Sequence, residues 1–412
     1  MKYSFSKRAL NMQRSPLREN AKKNLQLTDG ISFSYGYPPT EAFPMQTLRK
    51  LSDYIYRNVN PESYLQYGPA EGLPELRDLI KKRLFSHLSL PENRFDNENI
   101  LITSGATQAM DLVVRILCNE GDQVLCEEQT FSGAVNNIRS YGAVPVPIPM
   151  NLSEQCVDLH ALEKRLMADV HHKIKLMYLI PTFQNPLGTS MSTENRRKLY
   201  ALAKKYQIVI FEDDPYGELI YSGQEQKKIK YFDDAGLVIY SGSFSKVLAP
   251  GIRIGYILTN NDLLDKLVLA KQVADSLTNY YWQVMIAEYM KQYDFEGHVK
   301  QLQALYKTKL DLMTKKLDEI DPTQLTYIKP HGGYFICCQM NQSIDPSRFY
   351  EQLNQSKVSV IPGNIMSVAG IGYEYDFRVN FTKPSLEEIS KGIDSIHEAL
   401  NHASVRGEQF SS

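Results

Sequence analysis

An α/β fold with a mostly parallel central sheet is predicted by three features of the sequence. Short apolar runs rich in β-branched and aromatic residues alternate with stretches of helical spacing through the middle of the chain. From about Asp294 the pattern changes to one long amphipathic helix followed by isolated strands. The 412 residues, 43% hydrophobic and 23% charged, suffice for two or three domains with substantial cores.

The expected strands are NILIT at 99, DQVLCEE at 122, AVPVPIP at 143, IKLMYLIP at 174, QIVIFED at 207 and GLVIYSG at 236. Between them, 108–117 and 194–205 have helical spacing, which makes the region a βα alternation around a parallel sheet. The segment 294–320 reads as one helix, and GGYFICCQM and YDFRVNFT after it read as strands of a smaller α+β unit. The first few dozen residues fit neither pattern and are expected to join that unit, with Ser15 and Pro16 as an N-cap and first helical position. The expected division is therefore 1–55 joining the small domain, 56–293 as the large domain and 294–412 as the small domain. There is no internal repeat or low-complexity tract.

A formal net charge of −1 leaves no electrostatic footprint for nucleic acid or an anionic membrane, so a small-molecule partner is favoured. No apolar stretch approaches a membrane span and the start lacks a signal-peptide core, which places the chain in the cytoplasm. Cys118, Cys126, Cys156, Cys337 and Cys338 are odd in number and form no CxxC. They read as buried small hydrophobes, with neither a disulfide framework nor a metal site expected.

The strand ends carry the chemistry. SGSFSKVLAPGIRIGY at 241 places Lys246 just beyond a buried strand, with Ser243 and Ser245 beside it and Arg253 following. Two cations and two hydroxyls at a strand end make an anion-seeking cluster, where α/β sheets hold ligands. A surface lysine is the bland alternative. After NILIT, SGATQAMDL opens a helix near Ala106, whose backbone N–H groups and Thr107 hydroxyl would make a second anion cradle. Such turns are also common for structural reasons. No GxGxxG and no GxxxxGK occurs, which argues against a dinucleotide fold and a P-loop. After QIVIF, EDDPYGEL puts Asp213 and Tyr216 three apart across Pro215, and after LMYLI the turn PTFQNPLG carries Asn185. Taken singly, these are helix caps and turns.

Taken in order, SGATQ, PTFQNPLG, EDDPY and SFSK with its arginine resemble the fold-type-I pyridoxal-phosphate aminotransferases of the class I/II family. The resemblance runs from about Ile31 to Pro384. ISFSYGYPPTEAFP, LQYGPAEGLPELRDLI, PHGGYF and FRVNF bring it closest to the branch of 2-aminoadipate and kynurenine aminotransferases. Regulators with an aminotransferase-like half behind a winged-helix DNA-binding domain also look similar, but about 30 residues precede ISFSYG, too few for such a domain.

The resemblance implies the cofactor pyridoxal 5′-phosphate and a role for each residue. Lys246 would bond the cofactor aldehyde and shuttle a proton, Asp213 would pair with the pyridine nitrogen, and Tyr216 and Asn185 would bond the phenolic oxygen. Ser243, Ser245, Arg253, Ala106 and Thr107 would hold the phosphate, and Phe131 would stack on the ring. Arg378 would take the substrate α-carboxylate in a two-pronged bond, with Asn185 beside it, and Gly36 would let the backbone close over the substrate. Tyr67 would reach the phosphate of a neighbouring subunit, which implies a homodimer with shared active sites. Leu187 and His331 depart from the commonest family residues and read as turn and loop positions, and Tyr35 with Gly36 replaces a frequent pair of glycines.

The expected activity is transfer of an amino group from an α-amino acid, aromatic or 2-aminoadipate-like, to a 2-oxo acid such as 2-oxoglutarate. A β-lyase cleaving a C–S bond would use the same lysine, and a non-catalytic cofactor-binding sensor is a further alternative. YALAK at 200 hints at a short-chain dehydrogenase, but the matching glycine-rich turn is missing, and the pentapeptide reads as exposed helix. Tyr35, Tyr37, Tyr334 and Phe335 read as an aromatic entrance, or equally as core.

Overall fold

The computed structural model describes residues 3–12, 14, 17, 19, 30–87, 90 and 98–404. The expected cap at Ser15 and Pro16 lies outside the described residues.

Among these residues a seven-stranded sheet forms the centre, built from β2 (Glu98–Thr103), β3 (Gln123–Glu127), β4 (Val144–Ile148), β7 (Ile174–Leu179), β8 (Val209–Asp213), β9 (Val238–Ser243) and β10 (Gly255–Asn260). Their order is β2-β10-β9-β8-β7-β3-β4. β10 runs antiparallel to both neighbours, and the pairs β4-β3, β3-β7, β7-β8 and β8-β9 are parallel. β7 and β9 are buried almost throughout because helices cover both faces of the sheet, so no solvated side exists to demand alternation. The helices Ala106–Leu117 and Thr193–Tyr206 lie where helical spacing predicts them. β5 (Met150–Asn151) and β6 (Cys156–Val157) form a small separate ribbon.

The expected strand set lacked β10. Its GYILTN comes just after the arginine of the lysine motif, and it pairs with β2 over its full length and with β9 from Gly255 to Leu258. YALAK is helical as expected but exposed on one face only: Ala201 and Lys204 are exposed, whereas Tyr200 and Ala203 are buried, and the Tyr200 hydroxyl donates to Asp234 at 2.7 Å and accepts from two backbone N–H groups.

The long helix Phe295–Leu317 begins at an Asp294 cap whose side chain accepts from the Gly297 N–H. Beyond it an antiparallel sheet has the order β11 (Leu325–Tyr327), β12 (Phe335–Met340), β15 (Asp376–Asn380), β14 (Ile361–Pro362). The N-terminal segment reaches this half of the molecule through β1 (Ile31–Ser32), which pairs in parallel with β13 (Val358–Ser359). The last helix, Leu386–Ala403, starts with a reciprocal capping box between Ser385 and Glu388. Cys118, Cys126, Cys156 and Cys338 are buried and Cys337 half-buried.

Candidate active site

The ends of β7, β8 and β9 converge on a cavity of about 820 Å³. Its walls include Ala106, Thr107, Phe131, Asn185, Tyr216, Ser243, Ser245, Lys246 and Arg253, nine of the residues singled out in the sequence, together with Tyr37.

Lys246 lies in the turn after β9, half-buried, with Nζ donating to the Gly36 carbonyl at 2.6 Å. The ammonium also lies 5.1 Å above the Tyr334 ring. Loss of solvent, reinforced by the positive charges of Arg378 and Arg253, brings its pKa down to about 8. A lysine so placed is neutral in a far larger fraction near neutral pH than an exposed one, and the neutral amine is the nucleophile.

Asp213 ends β8 and is buried. One carboxylate oxygen, Oδ2, accepts from the Tyr178 hydroxyl at 2.8 Å, and the other, Oδ1, has no hydrogen-bond partner. Burial pushes its pKa up to about 7 against the lowering effect of the Tyr178 bond, and Asp214 raises it further. Tyr178 was not among the sequence candidates.

At the anion end of the cavity, Gly105 turns the chain with φ +80° into the helix Ala106–Leu117. A Cβ at Gly105 would lie 2.4 Å from Nη2 of Arg253, so only glycine leaves room for that guanidinium. Arg253 is exposed, itself in the left-handed region at φ +55°, and Nη2 donates to the Ser104 carbonyl at 3.2 Å. The Ser243 hydroxyl donates to Ser245 Oγ at 3.0 Å and accepts from the Ser245 N–H. Cation, hydroxyls and helix start thus face one point.

Arg378 stands on β15, buried, and reaches across from the small sheet. Nη1 donates to Asn185 Oδ1 and Nη2 to the Ser34 carbonyl, each at 2.7 Å, while Nε has no partner. Its guanidinium stacks 4.0 Å from the Phe335 ring centre, and loss of solvent brings its pKa down to about 10. Gly36 backs onto the same ring: a Cβ there would lie 2.9 Å from Phe335.

The aromatic residues divide. Tyr35 and Tyr37 stack at 5.0 Å, with Tyr37 exposed at the cavity, whereas Tyr334 and Phe335 are buried packing beneath Lys246 and Arg378. His331 is a loop residue bonded to Ser222. Tyr67 is not brought into the cavity of its own chain: it is 85% exposed. A further buried pair escaped the sequence reading. Arg196 holds the Asn185 turn from behind through the Met191 and Pro181 carbonyls, and Gln184 bonds the buried Glu127 at 3.0 Å.

A lysine of lowered pKa, a buried carboxylate with one free oxygen and an anion cradle, all at the strand ends of a mostly parallel sheet, define the class of pyridoxal-phosphate enzymes of fold type I. Residues 28–396 match the family Aminotransferase class I and II, and the chain belongs to that family. It is 35% identical to aromatic-amino-acid aminotransferase 1 of Thermococcus litoralis, over 96% of this chain and 94% of that protein. It is 31% identical to the 2-aminoadipate transaminase of Thermus thermophilus, over 96% of each. Its fold is similar to the kynurenine aminotransferase of Pyrococcus horikoshii, with a TM-score of 0.90, 34% identity and 96% coverage of each chain. The chain is a pyridoxal-phosphate-dependent aminotransferase. No helix among the described residues is long and apolar enough to cross a membrane.

Proposed function

We propose that this aminotransferase takes its amino group from α-amino acids with aromatic or long side chains and passes it to a 2-oxo acid such as 2-oxoglutarate, acting as a cytoplasmic homodimer. The observation that carries the substrate class is the stacked Tyr35–Tyr37 pair, whose Tyr37 lines the same cavity as Asn185, the hydrogen-bond partner of Arg378. A flat aromatic surface in a cavity that also holds a carboxylate anchor suits an aromatic side chain.

Three features support a fit to pyridoxal phosphate. Asp213 Oδ1 is buried and unpartnered, which suits a protonated ring nitrogen. Arg253, Ser243, Ser245 and the N–H groups at Ala106 and Thr107 suit the phosphate, and Lys246 suits the aldehyde. When bound, pyridoxal phosphate supplies the carbon that joins the amine covalently and a ring that accepts electron density as the Cα–H bond breaks.

In this reading Asp213 stays ionised and holds the ring nitrogen protonated. Tyr216 and Asn185 donate to the phenolic oxygen. Phe131, half-buried at the start of its helix, covers a ring face. Arg378 turns its free Nε, and a nitrogen now bonded to protein oxygens, toward the substrate carboxylate, which fixes the Cα–H bond within reach of Lys246. Lys246 Nζ, once freed from the cofactor by the substrate amine, would be the base that takes the proton from the substrate Cα. Gly36 and the Tyr35–Tyr37 pair exclude water from above. The division of the chain at 55 and 293 into a large domain and a small domain from both chain ends belongs to the same proposal.

A half-reaction screen tests the substrate class. Each amino acid is added to the purified enzyme without an acceptor, and conversion of the cofactor spectrum to that of the amine form is timed. Aromatic amino acids and 2-aminoadipate should react fastest; fastest conversion by alanine or aspartate would overturn the assignment.

A further inference from the structure

Tyr178 lies near the end of β7 and is completely buried. In the parallel register it stands opposite Phe211 of β8, and the two rings stack at 5.9 Å. Asp213, two residues beyond Phe211, is on the same face of the sheet. The phenol therefore runs alongside β8, and its hydroxyl meets Asp213 Oδ2 at 2.8 Å. Burial, with the charge of Asp213, keeps the phenol pKa well above its ordinary value, so the hydroxyl is a permanent donor.

We propose that Tyr178 is the positioning residue for the Asp213 carboxylate: it pins Oδ2 so that Oδ1 alone is presented to the cofactor ring nitrogen, and it keeps the carboxylate ionised in a buried site. The inference rests on the reading of Asp213 given above. A carboxylate without this bond is free to turn about its Cβ–Cγ bond, and either oxygen can then face the ring. It also loses the one hydrogen bond that opposes desolvation. The other titratable groups facing Asp213 are Asp214 next to it, Glu127 from β3 and Tyr216 from the turn that follows β8. Neither carboxyl group replaces the donor, and the Tyr216 side chain is hydrogen-bonded with Asn185 instead. Asp214 is engaged with Lys228 and the Tyr240 hydroxyl, and Glu127 accepts from Gln184, Ile180 and Thr130.

The sign follows from the geometry. Removing the hydroxyl leaves burial unopposed, so the carboxyl of Asp213 ionises at higher pH. A single hydrogen bond to a charged group shifts this by about one pH unit.

The test measures binding of pyridoxal phosphate to the cofactor-free enzyme across pH, beside an analogue in which carbon replaces the ring nitrogen. Tyr178→Phe should move the midpoint of the pH dependence for pyridoxal phosphate up by about one unit and weaken binding near neutrality about tenfold. The analogue, which has no nitrogen for Asp213 to meet, should bind wild type and variant alike. A fluorotyrosine placed at 178 keeps the ring, donates more strongly and should move the midpoint down. Equal losses for cofactor and analogue, or an unmoved midpoint with either substitution, would overturn the role of Tyr178. Asp213→Asn separates the two readings. It should abolish the difference between cofactor and analogue and leave nothing for Tyr178→Phe to change. If Asp213→Asn leaves that difference intact, the assignment of Asp213 is at fault instead.

Discussion

Arg378 and Asn185 join the two sheets: the guanidinium on β15 donates to the amide oxygen in the turn after β7, at 2.7 Å. The bond links the small sheet to a turn of the large one, so the group expected to grip the substrate also ties the two halves of the molecule together. Arg378 to Ala should lower kcat/KM for every α-amino acid by roughly two orders of magnitude, corresponding to about 3 kcal/mol for a charge-assisted bidentate contact. Amines lacking a carboxylate should be affected far less, and the cofactor spectrum should be unchanged. Equal losses for amino acids and amines would make Arg378 a structural tie alone.

Lys246 yields a prediction in pH. Its amine is brought down to about 8 by loss of solvent and by Arg378 and Arg253. In cofactor-free enzyme the neutral amine is therefore the minor form below pH 8 and the major form above it. The rate at which an added aromatic aldehyde labels Lys246, trapped by borohydride and located by peptide mapping, should rise with pH and level off beyond about pH 8. Arg378→Met removes the larger of the two positive influences and should shift that midpoint upward, because the ammonium form then meets less repulsion. A midpoint near the usual lysine value in the wild type would contradict the assigned environment.

The strands β2, β3, β4, β7, β8 and β9 were legible because their apolar runs end in small, polar or proline residues, and the motif residues were legible because they follow those ends directly. Tyr178 was not. It lies inside a run that reads as buried strand, and its meeting with Asp213 depends on the register of β7 against β8, which no local pattern encodes. Tyr200 was missed for a related reason. Helical spacing predicts the helix, but the hydroxyl is buried by the loop at Asp233 and Asp234, more than 30 residues away in the chain.

Gly105 is a residue of the cradle where a side chain is strained on two counts. With φ +80° and Arg253 Nη2 at 2.4 Å from the place a Cβ would take, alanine there strains the backbone and displaces the guanidinium. The backbone strain is on the order of 1–2 kcal/mol. Gly105→Ala should raise the dissociation constant of pyridoxal phosphate at least tenfold while leaving the Arg378-dependent preference for carboxylate-bearing substrates in place. The comparison is equilibrium dialysis of cofactor against substrate selectivity at saturating cofactor. Unaltered cofactor affinity would mean that the phosphate is held elsewhere.

Tyr67 tests whether active sites are shared between two copies of the chain. Its ring is 85% exposed, and Leu65 two residues before it is 70% exposed, so this short segment presents two large side chains outward. The loop behind it is fixed, because Gly68 packs so close to the Tyr280 ring that a Cβ would overlap it. A rigid loop that presents a phenol outward is suited to enter the site of a second subunit, whereas a phenol serving its own chain would be turned inward. A two-fold dimer is the commonest assembly in which such an exchange is reciprocal. Co-expression of a Lys246→Ala chain with a Tyr67→Phe chain then gives mixed dimers in which one site carries both lesions and the other neither, so roughly half of the sites recover. The prerequisite is that Tyr67→Phe alone loses cofactor affinity, as expected for a hydroxyl that donates to the phosphate. Purified mixed dimers with activity well above the mean of the two parents would establish the exchange. Activity at that mean, or full activity in a monomer at assay concentration, would confine each site to one chain and leave Tyr67 as a surface residue.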